Sequence, residues 1–217
     1  MSVPAIIAFL LLTFAASWGL QFAAILNVGD LENDAATPYL IAAMFAPAFV
    51  TLLFVIGSKA LRTSLLWKPS WAMLPLIVVA ALVPAAIAFG VVAIATELNW
   101  GHTGWFVFGR ESVDISGGPW LLGRGEQAWP VFALNVAVTA IAFAFMNALA
   151  AMGEEVGWRG FLQGHLIARM GTTNAIVLLG FLWSMWHLPG QLAGYNFPEY
   201  PEFGALVLSP LELIAVS

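Results

Sequence analysis

The sequence predicts an all-α fold, a polytopic membrane helical bundle with about six spans, and three observations predict it. Apolar residues (AVILMFWYC) make up 61% of the 217 residues and DEKR only 9%, against roughly 25% charge in soluble domains. Mean hydropathy is +0.91. The apolar residues also gather in runs of about 20, the length of helix that crosses a hydrocarbon core. A soluble fold of this size has no means of keeping so much apolar side chain away from water.

The spans follow in order along a single transmembrane domain, residues 1–217, with no internal repeat. Residues 3–28 form the first. No Lys or Arg precedes them and the run outlasts a signal-peptide core, so a retained helix is expected. Residues 38–57 are the second and 71–96 the third, which Pro75 and Pro84 should kink. Residues 130–153 are the fourth, continuing as helix to about 169, and 173–188 the fifth. A sixth, partial run covers 203–217 and stops in mid-pattern at Ser217, so the sequence is expected to continue beyond it.

Loop charges set the direction. Loop 29–37 carries Asp30, Glu32 and Asp34, whereas loop 58–70 carries Lys59, Arg62 and Lys68 and no acid. The positive-inside rule puts the second loop and the N-terminus in the cytoplasm of a multi-pass cell-membrane protein. Residues 97–129 then lie outside, the connection bearing Arg169 inside, and 189–203, with Glu199 and Glu202, outside. Trp100, Trp105, Trp120 and Trp129 suit a headgroup-level belt or a half-buried interfacial segment. Seven Lys+Arg against twelve Asp+Glu leave a net charge of -5 and no basic patch, which argues against nucleic acid as a partner. With no Cys, disulfides, thiolate metal sites and a cysteine nucleophile are excluded.

The chemistry lies in residues 147–187. Apolar helix runs directly into Glu154, Glu155 and Arg159, where each ionisable group costs about 2.5–3.5 kcal/mol at a bilayer centre. Glu155 and Arg159 stand at i,i+4 with the acid N-terminal, the better order for a helical ion pair. That leaves Glu154 without a local partner. Gly171 marks a turn, with Glu154 17 residues before it and His187 16 after it. In an antiparallel hairpin each is about 25 Å from the turn at 1.5 Å per residue, so the two are level.

Gly153, Gly157, Gly160 and Gly164 form a stripe at i, i+4, i+7 and i+11, and Gly180, Ser184, His187 and Gln191 form a small or polar stripe on the fifth helix. Such stripes let membrane helices approach closely, and the two are expected to face each other around a polar pocket. Asn147 shares the face of Glu154 and either bonds it or bridges helices. Alone, His187 reads as a hydrogen-bonded core histidine; beside a level carboxylate it reads as half of a site. His165, near the cytoplasmic surface, and His102, in the outer loop, are left to structural roles.

Two mechanisms suit a carboxylate and an imidazole in a dry cleft. Glu154 can take a proton from a water attacking a peptide carbonyl, with His187 holding that water. Alternatively Glu154 and His187 bind zinc or another divalent metal that acidifies the water, which demands a third ligand from elsewhere. No H-E-x-x-H segment is present.

Residues 154–163, Glu-Glu-Val-Gly-Trp-Arg-Gly-Phe-Leu-Gln, resemble the E-E-x-x-x-R-G-x-L-q signature of the CPBP family. This family comprises the CAAX prenyl protease 2 and Abi-type intramembrane proteases, including bacteriocin self-immunity proteins. Trp183 to His187 is similar to its second motif, F-x-x-x-H, with Trp183 for the Phe. The resemblance implies a membrane-embedded endopeptidase, labelled a metalloprotease, open to the cytoplasm and acting on peptide or lipidated, prenylated (CAAX-type) substrates within the lipid bilayer. It implies Glu154, Glu155, Arg159 and His187 as catalytic-site residues. It also implies a later histidine followed four residues on by Asn or Asp, and no histidine follows His187. Three other readings remain beside it: a non-catalytic immunity or binding protein, a proton-coupled carrier, since intramembrane Glu and His also make proton relays, and an inactive fragment of the protease.

Overall fold

The computed structural model describes residues 1–62, 70–101 and 104–217; Lys68 and His102, used above, lie outside the described residues. In chain order the helices are α1 (Val3–Asn27), α2 (Thr37–Ile56), α3 (Lys59–Arg62) and α4 (Leu74–Glu97). Strands β1 (Phe106–Phe108), β2 (Ser112–Ile115) and β3 (Gly125–Ala128) follow, then α5 (Trp129–Gly157), a π-helical turn at Trp158–Gln163 and α6 (Gly164–Met170). Helix α7 (Thr172–Leu192), α8 (Pro201–Phe203), a second π turn at Gly204–Leu208 and α9 (Ser209–Val216) complete the chain.

The polytopic helical bundle expected from the sequence is present. Among the described residues, five helical stretches are long and apolar enough to cross a membrane: Val3–Asn27, Asp34–Ile56, Trp71–Glu97, Trp129–Met170 and Thr172–Leu192. The expected sixth, partial run is helical without a break over residues 201–216, as α8, a π turn and the eight-residue α9, and is shorter than these five. Local chemistry explains several starts. The Ser2 hydroxyl accepts from the Ala5 N–H and Pro4 occupies the first turn of α1, where a missing donor costs nothing. Pro75 does the same for α4, while Pro84 lies inside it. Pro189 also lies inside α7, which runs to Leu192 rather than ending at Leu188.

The chain divides into two compact units, Met1–Trp67 with Leu149–Ser217, and Lys68–Ala148. The first is packed around Phe9, Trp158, Phe161, Leu179 and Trp186, all buried. Phe9 meets Trp158 edge-on at 6.4 Å and Phe161 at 5.2 Å, and Trp158 meets Trp186 at 6.1 Å between ring centroids. Aromatic pairs at such spacings add about 0.5–1.5 kcal/mol each beyond area burial.

Three of the stripe glycines meet helices other than the expected partner. A Cβ on Gly153 would strike the backbone of Met44 and Phe45, and one on Gly157 would strike Pro47, so this stripe admits α2. A Cβ on Gly180 would strike the backbone of Leu213 and Ile214, so the α7 stripe admits α9. Ser184 and Gln191 complete that second contact by bonding the Ser209 hydroxyl at 3.0 and 2.9 Å.

In the second unit residues 106–128 carry a three-stranded sheet. Strands β1, β2 and β3 pair antiparallel in that order, with Val107 opposite Asp114 and Val113 opposite Gln127. Val113 and Ile115 turn inward while Asp114 turns out, the period of two that a half-buried strand requires. Trp120 joins this core, its ring 5.4 Å from Phe106 and 6.2 Å from Phe132. Asn135 on α5, fully buried, accepts from the Leu122 N–H and donates to the Gly123 carbonyl, both at 3.0 Å.

Candidate functional site

Helices α6 and α7 turn back at Gly171, whose φ of 78° lies in the left-handed region that a glycine reaches without strain. The continuous helix from α5 through the π turn to α6 and the opposing α7 make the expected hairpin. Its consequence holds as well: Glu154 Oε2 lies 3.8 Å from His187 Nε2. The carboxylate side chain is 8% exposed and the imidazole 24%.

Each partner is oriented by α7. The Trp183 indole Nε1–H donates to Glu154 Oε2 at 2.7 Å. His187 Nδ1 lies 3.0 Å from the Trp183 carbonyl oxygen, which can only accept, so Nδ1 carries the proton in this contact. In the neutral imidazole Nε2, facing Glu154, is then the lone-pair nitrogen. The imidazole packs edge-on against the Trp186 ring at 4.5 Å.

Glu155 and Arg159 form the ion pair the sequence predicts. Arg159 also donates to the Val216 carbonyl at 2.6 Å, and its guanidinium carbon lies 4.5 Å from the Trp183 ring centroid. A guanidinium over an indole face is an attractive electrostatic contact. Thus Glu155 and Arg159 reach Glu154 through the indole. Asn147 is exposed, and Glu154 takes its hydrogen bond from Trp183 rather than from it. His165 lies apart, with Nδ1 3.3 Å from the Met1 amine.

A cavity of about 230 Å³ contains the pair and is lined in addition by Gln21, Met44 and Tyr195. At roughly 30 Å³ per water it holds several waters or one substrate side chain. Gln21, which the sequence reading passed over, fixes its α7 wall. Its Nε2 donates to the Trp186 carbonyl at 3.0 Å and its Oε1 accepts from the Gly190 N–H at 2.9 Å. Trp18 Nε1 donates to the same carbonyl at 3.2 Å. These α1 side chains bond the backbone carbonyl of Trp186 and N–H of Gly190, which flank Pro189. A glutamine in the middle of an apolar span was the available signal.

The donors among the described residues do not make up a catalytic zinc centre. Catalytic zinc takes three protein ligands; Glu154 and His187 are two, Glu155 is held by Arg159, and no cluster of three His, Cys, Asp or Glu occurs among the described residues.

Comparison with known proteins converges on this segment. The family described as Type II CAAX prenyl endopeptidase Rce1-like matches residues 136–215, which include Glu154, Trp183 and His187. The CAAX prenyl protease 2 of Methanococcus maripaludis is 44% identical over 45 residues, a match covering 21% of this chain and 17% of that protein. The likeness is therefore to the CAAX-protease family, through part of each chain.

Proposed function

We propose that the protein is a membrane-embedded endopeptidase in which Glu154 and His187 activate a water against a peptide bond. One observation carries the reading: a buried carboxylate and an imidazole lone pair, on adjacent antiparallel helices, stand 3.8 Å apart in a small cavity. That separation is too long for a direct hydrogen bond and leaves both atoms able to hold one water. His187 Nε2 accepts a hydrogen bond from one of its O–H groups, and that proton stays on the oxygen. Glu154 takes the other proton as the water oxygen bonds to the peptide carbon and the C=O π pair moves onto the carbonyl oxygen. As the C=O bond re-forms and the C–N bond breaks, Glu154 delivers that proton to the departing amine nitrogen. The carboxylate ends the cycle ionised, and no step passes through a metal.

The similarity to CAAX prenyl endopeptidases supports lipidated or membrane-anchored peptides as the substrate class. The basic 58–70 loop and Arg169 support a cytoplasmic N-terminus and cytoplasmic access to the site. Glu155 and Arg159 act as positioning residues in this scheme. The probe is a quenched fluorescent peptide ending in a farnesylated Cys-aliphatic-aliphatic-X sequence, offered to the purified protein in lipid nanodiscs. Glu154→Ala and His187→Ala are each expected to reduce its cleavage by at least about a thousandfold at unchanged expression, the scale for losing a general base together with its water-orienting partner. Cleavage surviving either substitution rejects the proposal.

A further inference from the structure

We infer that Trp183 is a positioning residue whose indole N–H aims the Glu154 carboxylate, with Arg159 holding the indole from its face. The inference rests on the protease reading and goes beyond it. The second motif of the resembled family carries Phe at this position, and Phe supplies a ring but no donor. Here the donor is used: Nε1 lies 2.7 Å from Glu154 Oε2, the same oxygen that lies 3.8 Å from His187 Nε2. Both side chains are buried, Glu154 at 6% and Trp183 at 7% exposure, so the bond is shielded from competing water.

Geometry gives the bond its consequence. A carboxylate turns about its terminal torsion over a broad range, and without a donor either oxygen, or neither, faces the imidazole. The indole N–H selects one oxygen and holds it. Meanwhile the Trp183 carbonyl receives His187 Nδ1–H at 3.0 Å. One residue therefore orients both members of the pair, the acid through its side chain and the imidazole through its backbone. Any amino acid supplies that carbonyl; only the N–H is particular to tryptophan. The ring is itself fixed by the Arg159 guanidinium 4.5 Å from its centroid, and Arg159 by Glu155 and the Val216 carbonyl.

Trp183→Phe is the test, because it keeps a ring beneath Arg159 and deletes the donor. In nanodiscs, with the farnesylated probe, kcat is expected to fall about tenfold with KM within about twofold, the signature of a charge-assisted hydrogen bond that orients a reacting group. A second measurement needs no activity. The Trp183 indole ¹⁵N–H resonance, assigned in the unsubstituted protein by backbone-to-side-chain correlation, is expected to move when Glu154 is replaced by alanine. This arm also decides the matter if Trp183→Phe fails to fold. A resonance unmoved by Glu154→Ala, or an unchanged kcat in folded Trp183→Phe, overturns the inference while leaving the protease reading standing. Cleavage that survives Glu154→Ala removes the protease reading and this role with it, even where the resonance moves.

Discussion

Helices α4 and α7 both qualify as membrane spans, and they are buried in the reverse of the order expected in water. The span containing α4, Trp71–Glu97, is the most apolar of the five, with mean hydropathy 2.8, and no residue of that window is buried. Helix α7 is the least apolar, at 1.2, and half of its window is buried. Lipid tails are as apolar as leucine, so moving a Val or Ile from lipid to protein gains little. Close backbone approach and hydrogen bonds decide instead. Helix α7 has both: Gly180 admits Ile214, Ser184 and Gln191 bond Ser209, and Gln21 bonds the Trp186–Gly190 turn. Helix α4 presents Ile77, Val79, Ile87 and Val91 outward instead, each more than half exposed.

The strongest way to break this comparison is to make one substitution in both helices. Gly180→Ala puts a methyl group into the backbone of Ile214, where nothing flexible can yield, and is expected to destabilise the protein by about 1–3 kcal/mol. Gly90→Ala on α4 meets nothing within 4 Å. It exchanges a flexible residue for a better helix former and is expected to be neutral or stabilising by up to about 1 kcal/mol. Unfolding titrations in mixed micelles measure both. Equal costs would mean that the exposure of α4 is not a difference in packing.

The same contrast explains what the sequence made legible. Span lengths, the Gly171 turn and the level meeting of Glu154 with His187 follow from backbone constants, 1.5 Å per residue and a fixed membrane thickness. Helix counting is enough to place them. The partners of the glycine stripes were not legible, because small residues announce that some helix comes close without naming it. Gly153 and Gly157 serve α2, and Gly180 serves α9. The sheet at 106–128 escaped because its strands have three or four residues each, too short for period-two alternation to declare itself. At Trp183 a tryptophan stands where the motif has Phe, and the pattern of rings does not announce the N–H that touches Glu154.

Gln21 sharpens the comparison from the α1 side. Its amide bridges the carbonyl and N–H of residues four apart, Trp186 and Gly190, the spacing of one ordinary helical hydrogen bond. Gln21→Leu removes the bridge, and the ladder can recover the Trp186–Gly190 bond by tightening. The stability cost is therefore expected to be about 1 kcal/mol, near the usual worth of a polar contact between membrane helices. The cleavage rate is expected to fall further than stability implies, because His187 lies inside the turn that tightens. Parallel unfolding and rate measurements separate the two; a rate that tracks stability alone would mean that Gln21 only holds helices together.

The smallest effect is expected at Ser184, and it tests whether polar contacts or close approach dominate on α7. Its hydroxyl donates to Ser209 Oγ at 3.0 Å, while Gln191 Nε2 donates to the same oxygen at 2.9 Å. Ser184→Ala leaves Ser209 bonded through Gln191 and leaves no buried atom newly orphaned, so the penalty of an unsatisfied group does not arise. The loss should be about 0.6 kcal/mol, the average for such bonds in a bilayer, and well below that of Gly180→Ala one helical turn away. Unfolding of the two single variants and the double variant in one micelle series decides it. If Ser184→Ala costs as much as Gly180→Ala, hydrogen bonding rather than backbone proximity seats α7 against α9. If the double variant costs less than the sum of the two, the Gly180 approach is what brings the serines within reach of each other.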